Sequence, residues 1–524
     1  MDPKHREDGG LNQMDQLLRL QADDLAHLAP ELTLVIAAVV LALIDLFLPK
    51  RASRTPLGWL ALVALAISAA FVIVDMRALN PAGESGEPVQ LLNQSYRVDD
   101  FANLFKLLFL AGTGLIIFMS LGALKEDDIP HQGEYYYLFL PATVGAMAMA
   151  SSGDLVTLYV GLELLSITTY VMVAMRKKLA ASNEAAFKYV VTGGISSAII
   201  LYGMSFLYGM TGSTNVAEIS SALSASYDQF EALVYVAFFL LLAGFGFKIS
   251  AAPFHAWAPD VYQGAPSPVT AYLAVVSKAA GFAMTFRVMY VLFGALDWPS
   301  SDIRNDVFLS IMVLAAVAMI VGNFVALRQK HTKRLLAFSG IANAGYLLVP
   351  IGTYFGIVHF SNFTEFLFYL IAYLFMTIGI FTVFMIVSES TDDENISAFA
   401  GLYYRSPWTA AATVVLLLSL AGLPISGGFV GKLYILLGTL EMREYWLAAV
   451  MIGTSVVSYY YYFGIIRQMF MRSTYPESSF RATVLQLIVV WICAAATLWT
   501  GLFPHTVMET IESIFSVERD LLIR

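Results

Sequence analysis

Long apolar segments follow one another along almost the whole chain and are separated by short polar loops. Each is close to the length of about 20 residues that an α-helix needs to cross a bilayer. Barrel strands would be shorter and would alternate apolar with polar residues. The pattern therefore predicts an all-α membrane protein with about fourteen spans, at 28–48, 57–76, 101–122, 134–151, 153–175, 185–209, 231–262, 266–296, 306–327, 332–354, 362–388, 407–440, 444–470 and 481–502.

The seventh and twelfth spans are longer than a straight crossing requires, and helix-breaking residues interrupt both. These residues are Pro253 in the seventh span, and Pro424, Gly427 and Gly428 in the twelfth. Broken helices are tolerated at membrane depth where protein or water satisfies the freed backbone groups. The two breaks lie five spans apart, and an odd offset reverses orientation, as an inverted repeat requires. Paired breaks of this kind indicate the ion site of a transporter.

Basic residues are distributed unequally between the two sets of loops. The even-numbered loops hold only Arg77, Arg97, Arg304 and Arg443. The odd-numbered loops hold Lys50, Arg51, Arg54, Lys125, Arg176, Lys177, Lys178, Arg328, Lys330, Lys333, Arg334, Arg405, Arg467, Arg472 and Arg481. Because cytoplasmic loops carry the excess of Lys and Arg, we predict that the odd loops are cytoplasmic and that both termini lie outside.

Composition narrows the classes of function. The chain is 58% hydrophobic and 13% charged, and its net charge of −9 argues against a nucleic-acid partner. Its one cysteine, Cys493, cannot supply the ligands of an iron–sulfur cluster or of a structural zinc site. We therefore expect no metal or redox cofactor in this chain.

Four ionisable residues lie within the spans in uncharged surroundings: Glu163, Lys248, Lys278 and Lys432. A charge at the bilayer centre costs at least about 2.5–3.5 kcal/mol, so such residues usually mark pathways or pairs. Burial also readily brings proton exchange by lysine towards physiological pH. We therefore expect these four residues to move protons or ions. The competing interpretation is a structural buried pair for Glu163, Lys278 and Lys432, and a side chain that reaches the interface for Lys248.

Other titratable residues have simpler explanations that compete with a functional one. Lys188 follows Glu184 by four residues, which is the spacing of an ion pair on a helix surface. His255 is either a relay residue or a core histidine. Lys106 and Arg287 lie nearer the ends of their spans, where we expect their long side chains to reach the interface or to pack.

Three stretches resemble the antiporter-like membrane subunits of respiratory complex I and the large subunits of multisubunit cation/proton antiporters. They are "GFGFKISAAPFHAWAPDVYQGAPSPVTAYLAVVSKAAGF" at 244–282, "SLAGLPISGGFVGKLYI" at 419–435 and "LYVGLELLSITTYVMVA" at 158–174. The resemblance covers nearly the whole chain after residue 25. The opening "PELTLVIAAVVLALIDLF" at 30–47, together with the absence of a long C-terminal extension, is most similar to one particular subunit of that complex.

The resemblance implies fourteen core helices with two inverted five-helix repeats, helices 4–8 and 9–13, and with broken helices 7 and 12. We accordingly expect five regions: a polar N-terminal tail at 1–27, helices 1–3 at 28–127, the first repeat at 128–300, the second repeat at 301–475, and helix 14 with the C-terminal tail at 476–524.

The resemblance also implies a function, which is proton translocation driven by electron transfer from NADH to quinone in other subunits. Glu163 and Lys248 would form a coupled pair, Lys278 would connect the two halves, and Lys432 would feed the exit. Lys188 and His255 would be relay residues. Some relatives carry glutamate at the last position, where this chain has lysine.

In the mechanism that this implies, Lys278 accepts a proton from the cytoplasmic side while Glu163 holds Lys248 charged. A neighbouring subunit then perturbs the pair, and repulsion drives the proton towards Lys432. NAD, FMN, iron–sulfur clusters and quinone would be bound by other subunits. The expected partners are a second antiporter-like subunit, a small subunit near Glu163 and the lipid of a bacterial cytoplasmic membrane. The alternatives are a Na⁺(K⁺)/H⁺ antiporter subunit and a scaffold whose buried charges only fix helix packing.

Overall fold

The structure, a computed structural model, describes residues 22–49, 51–80, 87–125, 127–294, 301–353, 360–471 and 480–521. Most of the predicted N-terminal tail and both chain ends lie outside the described residues. Ala22–His27 forms a short helix, and the imidazole of His27 hydrogen-bonds to Asp75 at 3.0 Å.

Helices make up most of the described chain. We number the helices of the predicted spans α1–α14, with α7 and α12 each divided into two halves. Their bounds are α1 Ala29–Phe47, α2 Thr55–Leu79, α3 Asp100–Ser120, α4 Gln132–Ala150, α5 Leu155–Val173, α6 Ala180–Thr211, α7a Val216–Lys248, α7b Ala258–Gly264, α8 Ser267–Phe293, α9 Ser301–Ala326, α10 Thr332–Gly352, α11 Asn362–Thr391, α12a Pro407–Ala421, α12b Gly427–Glu441, α13 Tyr445–Met471 and α14 Val484–Leu502.

Short elements lie at the two faces of this bundle. Strands β1 (Val89–Leu91) and β2 (Tyr96–Val98) pair antiparallel between α2 and α3. Single helical turns cover Ile396–Phe399 and Leu402–Arg405, and the helices Pro504–Ile514 and Val517–Asp520 follow α14.

Each of the fourteen predicted spans contains a helix, so the predicted order of elements is confirmed. Twelve helices in the described chain are individually long and apolar enough to cross a membrane. The other two spans are α4, a 19-residue helix, and α12, which is divided into halves. The division between α4 and α5 is confirmed, because the Asp154 side chain accepts hydrogen bonds from Val156 N and Thr157 N and so caps α5.

Both predicted breaks are present. The chain leaves helical geometry after Lys248 and resumes it at α7b. The half-helix α12a ends at Ala421 and is followed by Gly422, whose φ of 83° is a left-handed conformation that glycine adopts readily. Ser426 then caps α12b by accepting from Phe429 N.

Two isolated β-bridges support the inverted relation between the repeats. Asp154, before α5, pairs with Asn215, before α7a, and His331, before α10, pairs with Asn395, before α12a. In each repeat, the bridge therefore joins the connection before the second helix to the connection before the fourth helix. The first bridge lies at even-numbered loops and the second at odd-numbered loops, so the two lie on opposite faces.

The centre of the bundle is formed by helices that are covered on every side. All residues of α8 are buried, and α10 and α11 are almost as enclosed. By contrast, α1, α2 and α6 present many exposed apolar side chains, which lipid or neighbouring chains would cover. The fold therefore places the lysine of α8 in the core of the protein.

Candidate functional site

Lys248 is the last residue of α7a and lies at a contact between three helices. Its Nζ donates a hydrogen bond to Ser166 Oγ of α5 at 2.9 Å, and the residue is only 5% exposed. The close approach of α8 occurs at Gly281, where a Cβ would lie 3.1 Å from Lys248 Cγ. Gly281 follows Lys278 by about one helical turn, so Lys248 lies beside the segment that carries Lys278.

Glu163 does not form a direct ion pair with Lys248 in this structure. The lysine donates to Ser166, three residues further along α5 from Glu163. Glu163 is nevertheless within electrostatic range of Lys248, and its Oε1 is buried without a hydrogen-bond partner in the described part of the chain. Ser166 therefore lies at the junction of the predicted pair, and the sequence analysis did not identify it.

Lys278 lies directly after a wide, π-helical turn at Leu273–Ser277 in α8, a feature frequent at functional sites. Its Nζ donates to the carbonyl oxygen of Gly340 on α10 at 2.7 Å. Gly340 follows His331 by nine residues, as Glu163 follows Asp154, so the two occupy corresponding positions in the repeats. The second repeat thus offers Lys278 a carbonyl where the first has a carboxylate.

Lys432 lies near the start of α12b and contacts the end of α12a. Its Nζ donates to the carbonyl oxygen of Leu420 at 3.0 Å and lies 4.7 Å from the centre of the Tyr346 ring. The carbonyls at a helix C-terminus and the face of an aromatic ring both stabilise a cation without a formal negative charge. The break in α12 thus exposes the carbonyl group that accepts the hydrogen bond of the Lys432 ammonium.

The three lysines Lys248, Lys278 and Lys432 share one property. Each is at least 92% buried, and none has a carboxylate within 4.0 Å in the described part of the chain. Their hydrogen-bond acceptors are instead a hydroxyl group and two backbone carbonyls. A charge buried without a counter-ion is expensive, so the neutral amine is an accessible state for such a group.

Other buried cations of the described chain are paired, and two of them decide between the alternatives drawn from the sequence. Lys106 is fully buried and contacts Glu31 at 2.9 Å, while Arg287 is buried against Asp99. Of the two alternatives expected for these side chains, packing inside the protein is confirmed for both, and neither reaches the interface. Lys333, at the start of α10, contacts Glu394 at 3.3 Å.

The pairing around Asp99 anchors the ends of α3 and α8. Arg287 donates two hydrogen bonds of 2.8 Å to the Asp99 carboxylate, and Arg97 contacts the same group at 2.8 Å. The carboxylate also caps α3 by accepting from Ala102 N. Burial alone would raise the pKa of Asp99, but Arg287 and Arg97 hold it below its usual range.

The two relay candidates lie apart from this arrangement. Lys188 is partly exposed and forms the surface pair with Glu184 at 2.7 Å, together with a second pair to Asp260 of α7b at 2.6 Å. His255 lies in the connection between α7a and α7b and faces the ring of Phe338 on α10. Its Nδ1 is buried without a hydrogen-bond partner in the described residues.

A polar cavity of about 250 Å³ opens where several odd-numbered loops meet. Its lining includes Lys125, Asp128, Arg176, Ser267, Glu389 and Glu394. Burial alone would raise the pKa of Glu394, but the His331, Lys333 and Arg176 side chains around it lower this pKa to about 2. The cavity is large enough for several water molecules and reaches the first residue of α8.

The described residues contain no group of three or more His, Cys, Asp or Glu side chains that could hold a metal ion. Cys493 is buried in α14.

Comparisons with known proteins agree with this architecture. Residues 152–458 match the family described as NADH:quinone oxidoreductase/Mrp antiporter, TM. The chain is 51% identical to NADH-quinone oxidoreductase subunit N of Paenibacillus sp. (strain JDR-2), over 98% of this chain and 100% of that one. It resembles a chain of respiratory complex I from Thermus thermophilus with a TM-score of 0.75 and 30% identity, covering 92% of this chain and 99% of that chain. A chain of the Mrp complex from Dietzia sp. DQ12-45-1b shares the fold, with a TM-score of 0.80 and 19% identity over 94% and 97% of the two chains.

Two broken helices in inverted repeats, with unpaired buried lysines beside them, define an antiporter-like membrane subunit, and the chain belongs to the NADH:quinone oxidoreductase/Mrp antiporter family. Within it, the chain belongs with the NADH-quinone oxidoreductase subunit N proteins. The resemblance noted at 30–47 is thereby confirmed.

Proposed function

We propose that this chain is a proton-translocating membrane subunit of a respiratory NADH-quinone oxidoreductase. It has no redox step of its own, because NAD, FMN, iron–sulfur clusters and quinone are bound by other subunits. Quinone reduction elsewhere in the complex changes the charge state of groups next to this chain. Its buried lysines then pass protons across the membrane in response.

The observation that carries this proposal is the contrast between paired and unpaired buried cations. Lys106, Arg287 and Lys333 have carboxylate partners, as structural charges do. Lys248 and Lys278 donate only to uncharged acceptors in the described chain, and Lys432 does the same at Leu420 O. Such acceptors can hold an ammonium without fixing it in that state, which suits a site that must gain and lose a proton.

The order of events follows from the arrangement of these lysines. A proton is taken up from the polar cavity at the odd-numbered loops and reaches Lys278. Lys248 lies beside the same helix, because α8 approaches it closely at Gly281. When Lys248 is charged, repulsion disfavours a second charge on Lys278, and the proton moves on towards Lys432. Glu163 and Ser166 compete for Lys248, so a shift of Lys248 between them is the switch that the neighbouring subunit operates.

The odd loops face the cytoplasm in this proposal, and the two described ends of the chain lie on the opposite face. His27 near the start contacts Asp75 at the end of α2, and Arg519 near the end contacts Asp100 at the start of α3. Glu163 lies on α5 among exposed apolar side chains that include Val160 and Ile167. A small membrane subunit docks there, and a second antiporter-like subunit adjoins the bundle.

The test removes the lysine nearest the exit. Lys432→Ala should leave the complex assembled and should lower the ratio of protons translocated to electrons transferred, because the last carrier is missing. Lys330→Ala, which removes an exposed lysine of an odd loop, is the matched control and should keep the normal ratio. Both variants are reconstituted in vesicles, and quinone reduction and proton uptake are measured together.

The three alternatives predict different results. A normal ratio in assembled Lys432→Ala complex would leave only the role of a structural scaffold. Proton movement that requires Na⁺ or K⁺ on the opposite side and proceeds without quinone reduction would indicate an antiporter. A ratio that falls in Lys432→Ala and is independent of Na⁺ and K⁺ supports the proposal.

A further inference from the structure

Glu365, in the first turn of α11, is a buried carboxylate that the sequence analysis did not single out. The residue is 3% exposed. In the described part of the chain, its carboxylate has neither an ion pair within 4.0 Å nor a hydrogen bond. It therefore resembles the unpaired lysines and differs from the paired acids Glu31 and Asp99.

The ordinary role of an acid at this position is already filled by other residues. Carboxylates in the first turn of a helix often satisfy its free N–H groups. Here Ser361 caps α11 by accepting from Thr364 N at 3.3 Å. Glu512, from the helix Pro504–Ile514, accepts from Ser361 N at 3.3 Å and from Ser361 Oγ at 3.0 Å. The carboxylate of Glu365 instead points to α12b, where a Cβ on Gly438 would lie 3.1 Å from its Oε2.

In the described part of the chain, two further acidic groups lie within electrostatic range of Glu365. They are Glu441, at the end of α12b, and Glu512, on the C-terminal helix. The described residues offer no group of three or more His, Cys, Asp or Glu side chains suited to a metal ion here. Binding a proton relieves the repulsion, and a buried carboxylate does this readily.

The position of Glu365 connects Lys432 with the face of the even-numbered loops. Gly431, next to Lys432, packs against Tyr369 of α11, and Gly438 packs against Glu365 one turn earlier in α11. The six residues from Lys432 to Gly438 rise about 9 Å along the helix axis. From there α12b continues for three more residues, to Glu441 at the surface.

We propose that Glu365 is the proton-release residue of this chain. The ammonium of Lys432 gives up a proton, through water, to the carboxylate of Glu365, so that the lysine becomes a neutral amine and the glutamate a neutral acid. Glu365 then releases the proton to the water outside at Glu441, and repulsion from Glu441 and Glu512 favours its return to the neutral acid when the next proton arrives from Lys432. This inference rests on the proposed function.

The test compares Glu365→Gln with Lys432→Ala in reconstituted complex. Glu365→Gln keeps the shape of the side chain but carries no proton. It should lower the proton-to-electron ratio as far as Lys432→Ala does, and the double variant should be no worse than either. Glu365→Asp should retain part of the pumping. Glu509→Gln, an exposed acid on the same C-terminal helix, is the matched control for loss of a negative charge at this face.

The outcomes separate this inference from the function on which it rests. If Lys432→Ala lowers the ratio and Glu365→Gln does not, Glu365 is off the path and only the inference is overturned. If neither variant lowers it, the proposed function itself fails. Should Glu365→Gln not assemble, infrared difference spectra of wild-type and Glu365→Asp complex decide the question. A carboxylic-acid band that appears during turnover must move with the substitution, and a band that stays in place refutes the assignment.

Discussion

Replacement of Asp99 by asparagine is expected to destabilise the protein strongly although its shape hardly changes. Arg287 loses the partner of two 2.8 Å hydrogen bonds, and Arg97 loses its 2.8 Å contact. Both arginines and Asp99 are at least 97% buried, so the positive charges stay in the protein without their shared anion. Breaking a buried pair in this way costs about 3–5 kcal/mol. That is more than about a hundredfold in the ratio of folded to unfolded chains.

The cap of α3 survives this change, because the amide oxygen of asparagine also accepts from a backbone N–H. Asp154→Asn is therefore a matched control. Asp154 caps α5 in the same manner, with Val156 N at 2.7 Å, and the described chain gives it no arginine partner. We expect it to cost less than about 1 kcal/mol.

The assay for both variants is the fraction of chain recovered in assembled complex and the temperature at which half of the detergent-solubilised complex is lost. Asp99→Asn should show much lower recovery and a lower midpoint than Asp154→Asn. Equal midpoints would show that Asp99 acts only as a cap. The arginines would then be stabilised by other groups, and the distinction between paired and unpaired cations would lose its energetic basis.

Two further predictions concern the switch and the topology. Glu163→Gln and Lys248→Ala should each lower quinone-coupled proton uptake per assembled complex. The double variant should be about as inactive as either, because both residues act on one unit through Ser166. Strictly additive losses in log activity would contradict this coupling. A cysteine introduced at position 177 in place of Lys177 should react with a membrane-impermeant reagent only after the cells are opened, because the odd-numbered loops are predicted to be cytoplasmic. Labelling in intact cells would reverse the proposed orientation.

The sequence by itself determined the number, order and approximate bounds of the spans. Each span depends on a local property, the length of an apolar stretch between polar loops, so no distant contact was needed to find it. The breaks of α7 and α12 were equally local, because proline and glycine interrupt a helix wherever they occur. The same holds for the deep positions of Lys278 and Lys432, which follow from counting apolar neighbours.

Only the tertiary structure decided which ionisable groups on different helices are partners. In a membrane protein both lipid and core are apolar, so the hydrophobic pattern does not reveal which face of a helix meets another helix. For Lys106 and Arg287 the sequence consequently left the interface and internal packing as alternatives, whereas the structure buries them against Glu31 and Asp99, which are far away in sequence.

The same reason explains the remaining differences at the candidate site. Ser166, three residues along α5 from Glu163, accepts a hydrogen bond from Lys248 because the end of α7a approaches α5 there. Glu365 looked like an ordinary acid at a helix start until α12b and the C-terminal helix enclosed it. Whether a buried charge is structural or exchangeable depends on the presence of a counter-ion, and counter-ions are brought together by contacts between helices that the linear pattern does not encode.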